Sequence, residues 1–447
     1  MQKNKVQVMT GKELILKAMN REKVERIPWV PFCGVHSGSL IGKDAEEYLK
    51  SADNIVDGLN KAIEFYNPDG FPIIFDLQIE AEILGCDLSW NKDNPPAVVS
   101  HPISDGKVKL EDLSIPKITD GRIPVVIDAL KRIRKQHPDL AVYGLITGPF
   151  TLALHLLGTD IFMGMFDDPE GIKRILAFCA EVGKAMSKYY VENGCDIIAV
   201  VDPMTSQIGP DQFREFCTEP MIDIFDNIRE SGAKGSFFVC GHAKNNIEAM
   251  CECHCDNVSI DENIPLDYVR DICKEKGVSF GGNLQLTTVM LLGTPEQNKV
   301  NAVQCMDIGG DEGFILAPGC DMPYATPLEN ARAVAEVVHD KYQQDVAREL
   351  GHNVPEEGET VDLSDYYSDD IVTIDIITLD SLGCAPCQYM VEAVKEIAPQ
   401  FGDKICWKEF KIKEPESIVM MRSLGVKNIP TLCIDGEIKY ISRIPSK

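Results

Sequence analysis

Short apolar runs alternate with longer stretches of helical periodicity along most of the chain. Eight runs recur: RIPWVPF (26–32), FPIIFD (71–76), LAVYGLITG (140–148), CDIIAVVD (195–202), GSFFVCG (235–241), NVSIDE (257–262), VSFGGN (278–283) and GFILAPG (313–319). Each is of strand length and β-rich in composition. Between them, segments such as GKELILKAMNREK (11–23) and PEGIKRILAFCAEVGKAMSKYYVENG (169–194) repeat apolar positions at helical spacing, with Gly194 as a C-terminal stop. Eight such repeats predict an α/β fold, a (β/α)8 TIM barrel over residues 1–344, with PLENARAVAEVVHDKYQQDVAREL (327–350) as its final helix. A doubly wound open sheet is the alternative, but no GxGxxG follows the first strand.

The pattern then changes. Residues 345–370 hold nine acidic residues and one basic one, Arg348, with Gly and Pro mixed in, and predict a solvated acidic linker. Beyond it the alternation restarts over 371–447: a strand (VTIDIITL), a CxxC at a helix start (Cys384 and Cys387), a helix, a strand (ICWKEFKI), a second helix and a strand pair (TLCIDGEIKYIS). A second, small α/β domain is expected there.

Composition narrows the function. With 447 residues, 44% of them apolar, the chain can bury a large core. Its formal charge of −26 argues against nucleic-acid partners and against anionic membrane surfaces. No signal core opens the sequence and no run approaches the roughly 20 apolar residues of a membrane span, so a cytoplasmic location is expected. There the 16 cysteines read as metal, redox or core positions rather than structural disulfides. Two of them, Cys240 and Cys320, end the fifth and eighth runs, where a barrel presents its chemistry; paired thiols at that rim suggest zinc. The run CECHC (251–255) is too cramped to enclose one tetrahedral ion, and His36 and His155 read as ordinary buried or turn histidines. P-loop and HExxH motifs are absent from the sequence.

Several segments carry a family resemblance: DLQIEAEILGCD (76–87), LITGPFTLA (145–153), DPMTSQIGPDQFREF (202–216), FVCG (238–241), SIDENI (259–264), GGNLQLTTVMLLGTPE (281–296) and APGCDMPYATPLEN (317–330). Together they resemble the uroporphyrinogen decarboxylase superfamily, and within it the branch of cobamide-dependent methyltransferases. That branch carries a His-x-Cys after the fifth strand and a Cys after the eighth, which bind zinc with one open position. Cys240 and Cys320 match, while Phe238 stands where the histidine would be. On an extended strand, residues 238, 240 and 242 share a side, so His242 is the expected third ligand, with Glu80 or Asp76 as an oxygen alternative. The resemblance implies an enzyme in which zinc turns a bound thiol into its thiolate, and a methyl group moves between that small-molecule thiol, or another small methyl donor or acceptor, and the cobalt of a corrinoid on a partner protein. Glu80, Asp202 and Asn283 would line the substrate pocket. A decarboxylase acting on a tetrapyrrole is the weaker alternative, because FCGVHSGSL (32–40) replaces the arginine-rich segment that holds the carboxylates.

The C-terminal domain resembles thioredoxin and the small glutaredoxin-like proteins through GCAPC (383–387) and IPT (429–431). This implies a thioredoxin-like fold in which Cys384 attacks a disulfide, Cys387 resolves it and Pro430 is a cis-proline facing the pair. A further alternative follows: a thiol-disulfide redox protein that uses the barrel to bind its client.

Overall fold

The computed structural model describes residues 9–351, 360–363, 366–367, 371–382, 385–412 and 414–445; of the residues singled out above, Cys384 lies outside the described ones. Helix α1 (Gly11–Met19) starts the described chain behind a Thr10/Glu13 capping box and closes one end of the barrel, with Lys12 N donating to Asp139 O at 2.9 Å. Strands β1 (Gly70–Pro72), β2 (Ala141–Thr147), β3 (Ile197–Val201), β4 (Lys234–Val239), β5 (Asn257–Ile260), β6 (Ser279–Leu284) and β7 (Phe314–Pro318) follow in chain order around one parallel sheet.

The first expected strand is not a regular one. Pro28 and Pro31 lack the N–H groups that a ladder needs, and the segment makes one parallel bridge, Trp29 to Leu316. It still joins the sheet edges: Val30 N donates to Leu316 O at 3.0 Å and Asp69 N to Trp29 O at 2.9 Å. The curled seven-stranded sheet is thereby closed by a proline-limited eighth element.

The two-residue period of the strands decides what lies inside. Tyr143 and Leu145 of β2, Ile197, Ala199 and Val201 of β3, and Ile315 and Ala317 of β7 share an inner core with Phe32, Phe75 and Phe238. The intervening Val142, Ile146, Ile198 and Val200 pack outward with the helices. Helix α2 (Pro149–Leu157) follows β2, and α3 (Pro169–Glu192) covers β2 and β3. Among the described residues no single helix is long and apolar enough to cross a membrane.

The last barrel helix breaks at Asp340, whose side chain accepts from Tyr342 N and Gln343 N, giving α4 (Leu328–His339) and α5 (Lys341–Leu350). Arg348 holds Asp307 at 2.7 Å, so the barrel body extends past the boundary expected at 344. Farther on, Leu363 and Tyr367 pack into the C-terminal unit and Tyr366 bonds Asp375, so part of the expected linker is structured.

The C-terminal unit comprises β8 (Val372–Thr378), α6 (Ala385–Ile397), β9 (Ile405–Lys411), α7 (Pro415–Ser423), β10 (Thr431–Ile434) and β11 (Glu437–Ile441). Its sheet order is β9-β8-β10-β11, with β8 and β9 parallel and the other pairs antiparallel. It docks on the barrel through Gln207, whose amide donates to Ser442 O at 3.1 Å and accepts from Ile444 N at 2.8 Å. The Tyr389 ring stacks on His101, 6.5 Å between centroids.

Candidate active site

A cavity of about 250 Å³ opens at the C-terminal ends of the strands, between the barrel and the C-terminal unit. Cys240 follows β4 and Cys320 follows β7, and both face it. Their sulfurs are 2.9 Å apart, with Cys240 donating to Cys320. That bond, burial and the neighbouring charge of Cys320 push the Cys240 thiol well above the ordinary thiol range.

The donor set does not fit the expected zinc. The two sulfurs supply half of a tetrahedral set, and among the described residues no third donor is arranged with them. His242 does not join them: β4 ends at Val239, and Gly241, at φ +87°, turns the chain. The alternation that would carry residue 242 to the side of residue 240 ends there, and His242 is exposed and outside the cavity wall. The Gly241 turn is fixed by its N–H, which donates to Asp261 Oδ2 at 2.6 Å. Phe238, in the place of the family's histidine, is buried against Phe32 and Phe75 with centroids at 5.1 and 5.7 Å. Asp76 is held by Arg122, and Glu80 by Thr147. Among the described residues, no group of three His, Cys, Asp or Glu side chains is arranged to hold a metal.

The three expected pocket residues also stand elsewhere, each turned to backbone rather than to the cavity. Glu80 accepts from Thr147 N at 3.0 Å and Oγ1 at 3.1 Å, and burial raises its carboxyl to about 7. Asp202, at the end of β3, accepts from Phe150 N, Thr151 N and Thr151 Oγ1 at 3.0, 2.8 and 2.6 Å; burial raises it to about 7 against those three bonds. It thereby fills the N-terminus of α2, so closely that a Cβ at Gly148 would lie 2.3 Å from its own. Asn283 donates to Asp261 O at 3.3 Å and Ile264 O at 2.9 Å, tying β6 to the loop after β5.

The groups that line the cavity were less visible in the sequence. His155 of α2 is fully buried; burial lowers its pKa to about 3, and its Nδ1 has no partner. Glu262 accepts from Leu286 N at 3.0 Å through Oε1, while Oε2 is buried and unpartnered. Burial, and then the charge of Asp261, raise the Glu262 carboxyl to about 8. Gln78 and Asn263 line the cavity too, each with a buried unpartnered oxygen. SIDENI (259–264) and DLQIEAEILGCD (76–87) held Glu262, Asn263 and Gln78 as motifs without roles assigned to those residues, and His155 was read as an ordinary buried or turn histidine.

The C-terminal unit supplies the opposite wall through Leu379, Pro386, Ile429, Pro430 and Ser442. The Ile429–Pro430 bond is cis, as the IPT motif implied. Cys387 is buried and disulfide-bonded.

Comparison with known proteins places the barrel. The sequence profile of the uroporphyrinogen decarboxylase (URO-D) family matches residues 10–341. A methylcobamide:CoM methyltransferase, MtbA, of Methanosarcina acetivorans is 25% identical over 337 residues, covering 73% of this chain and 97% of its own length. A methylated-thiol–coenzyme M methyltransferase of Methanosarcina mazei is 29% identical over 289 residues, 62% of this chain and 76% of the relative. Among solved structures, a methyltransferase from Methanosarcina mazei superposes with a TM-score of 0.69 at 24% identity, covering 75% of this chain and all of that one, which shows the shared fold.

Proposed function

The chain belongs to the uroporphyrinogen decarboxylase (URO-D) family, and from that premise we propose that it is a corrinoid-dependent methyltransferase, moving a methyl group between a cobamide on a partner protein and a small thiol. The observation that carries the proposal is the thiol pair Cys240 and Cys320 in the wall of the rim cavity, in a chain whose relatives are named for methyl transfer between methylcobamide and coenzyme M. A cavity of about 250 Å³ admits a small thiol but not a corrinoid ring. The cobalt-bound methyl is therefore presented at the mouth while the thiol sits inside.

In the transfer, a sulfur–carbon bond forms, the cobalt–carbon bond breaks with its electron pair left on cobalt, and the thiol loses a proton. Glu262 suits the proton: with Oε2 unpartnered and its carboxyl raised to about 8, its carboxylate form is a base matched to neutral pH. Asp202 and Asn283 act at one remove, the first fixing α2 and with it His155, the second fixing the loop of Asp261, Glu262 and Asn263. Because the residues present do not fit zinc, no step passes through it. The lyase alternative meets a cavity wall in which, among the described residues, neither lysine nor arginine stands to hold a polycarboxylate tetrapyrrole.

We further propose that the C-terminal unit is a thioredoxin-like redox module. Its strand order and the seating of Pro386 and Pro430 on the cavity support this, and they keep the redox-protein alternative, with the barrel as client site, as the second reading. The deciding assay is anaerobic: methylcobalamin, 2-mercaptoethanol and the protein should yield cob(I)alamin, seen by absorbance, at a rate lowered at least tenfold by Glu262→Gln. Equal rates with and without protein, in both directions of transfer, would refute the methyltransferase function.

A further inference from the structure

We propose that the cavity selects a neutral or cationic small thiol that carries N–H or O–H donors at the end remote from sulfur, and rejects anionic thiols. The word thiol rests on the methyltransferase function proposed above; the charge class rests on the cavity alone.

The wall offers carboxyls and no cation. Asp261, Glu262 and Asp321 line it, and among the described residues no lysine or arginine does. Bound carboxylates, sulfonates and phosphates need guanidinium, ammonium or helix N-terminal N–H groups to replace their hydration. The helix N-terminus beside this cavity is already filled: the N–H groups of Phe150 and Thr151 go to Asp202. Gly241 N, next to Cys240, is likewise spent on Asp261. An anion entering here would lose its water and meet carboxyl groups.

The unpartnered groups point the same way. Four residues of the wall each keep a buried polar atom without a hydrogen-bond partner: Gln78 Oε1, His155 Nδ1, Glu262 Oε2 and Asn263 Oδ1. The two amide oxygens only accept, and Glu262 Oε2 accepts in the carboxylate form. Asn263 has given its Nδ2–H to Asp261 Oδ2 at 2.7 Å, and Glu262 Oε1 is occupied by Leu286 N. His155 is 1% and Gln78 9% exposed, so bulk water does not satisfy them. Buried acceptors in native proteins are nearly always paired; these atoms are sealed within wall side chains, and a donor-bearing ligand pairs them when those side chains turn toward the cavity. Coenzyme M, 2-mercaptoethanesulfonate, has a thiol but an anionic far end without a donor. This chain thus departs in substrate class from relatives named for coenzyme M.

The test uses three two-carbon thiols that differ only at the far end: cysteamine, 2-mercaptoethanol and 2-mercaptoethanesulfonate. Binding to the full-length, chelator-treated protein is measured by calorimetry without any corrinoid, so the result is independent of whether methyl transfer occurs. Cysteamine should bind at least tenfold more tightly than the sulfonate, with 2-mercaptoethanol between them. Glu262→Gln should reduce the cysteamine advantage over 2-mercaptoethanol at least fivefold. Asn263→Ala, which removes a neutral acceptor, should weaken cysteamine in the same direction and serves if the first variant fails to fold. Equal or tighter binding of the sulfonate, or no binding of any of the three, overturns the assignment even if methylcobalamin is demethylated. Failure of demethylation with the charge ranking intact would instead count against the methyltransferase function alone.

Discussion

Replacing Phe238 by histidine should restore a third ligand to the thiol pair, at a cost that the structure sets. Phe238 is fully buried in the inner core and meets Phe32 and Phe75 edge-on, at 5.1 and 5.7 Å. Two such contacts contribute about 0.5–1.5 kcal/mol each, and a buried imidazole nitrogen left without a partner adds about 1–3 kcal/mol. Phe238→His should therefore lose about 3 kcal/mol of stability when metal-free. If the histidine completes a site with Cys240 and Cys320, free zinc at about 100 times its dissociation constant returns about 2.7 kcal/mol. Urea unfolding followed by circular dichroism, with and without zinc, reads both numbers, and metal analysis after desalting gives the stoichiometry. The variant should hold one zinc per chain and recover most of its loss, while the wild type should hold well under one and show no shift. One zinc per wild-type chain, lost in Cys240→Ala, would refute the conclusion that the present donors do not fit the metal.

Two other predictions follow from the cavity and its cover. Burial raises the Glu262 carboxyl to about 8 from its ordinary value of 4.5, so the folded protein binds more protons than the unfolded chain between those limits and loses stability as pH rises through them. Glu262→Gln, uncharged at every pH, should gain on the wild type by about 4 kcal/mol between pH 5 and pH 9 in urea titrations; a constant difference would show that Glu262 is not held protonated. Gln207→Ala removes both hydrogen bonds that tie Ser442 and Ile444 to the barrel. It should raise thiol-dependent methylcobalamin turnover severalfold by loosening the cover, and an unchanged rate would mean that the mouth is reached without moving the C-terminal unit.

How far the sequence could be read depended on whether a property was local. The strand ends that carry Cys240 and Cys320 were legible because apolar runs stop at them, and the order of elements in both units followed from periodicity. The proline pair 28/31 was equally visible, but its effect, one bridge in place of a strand, depends on which N–H groups the neighbouring strand needs. His242 was misplaced because alternation was carried past the end of β4, and only the positive φ of Gly241 shows that it stops there. Glu80, Asp202 and Asn283 are polar residues at strand ends, which describes a pocket group and a backbone clamp equally well; burial and partners decide between them. The significance of Gln78, His155, Glu262 and Asn263 lies in what they fail to bond, which no pattern along the chain records.

The two units meet where their chemistries would act, and this constrains how the protein can work. A corrinoid ring is larger than the cavity, so its methyl group has to approach from the mouth, and there the C-terminal unit presents Pro386 and Pro430. Among the described residues the contacts that hold it include the two bonds of Gln207, the Gln388 amide to Val98 O at 3.4 Å, the ring pair of His101 and Tyr389, and apolar packing of Tyr389 and Ile444 on the barrel core and of Leu291 on the core of the C-terminal unit. Interfaces of this kind within a chain permit relative motion. A corrinoid protein and the C-terminal unit would then compete for one surface, so whatever favours the docked unit lowers the rate of methyl transfer without touching a residue of the cavity. The buried disulfide of Cys387 lies one residue from that surface. On the redox function proposed for the small unit, reducing that disulfide is expected to alter docking, and the rate of methyl transfer before and after reduction measures it; an unchanged rate would separate the two units' activities.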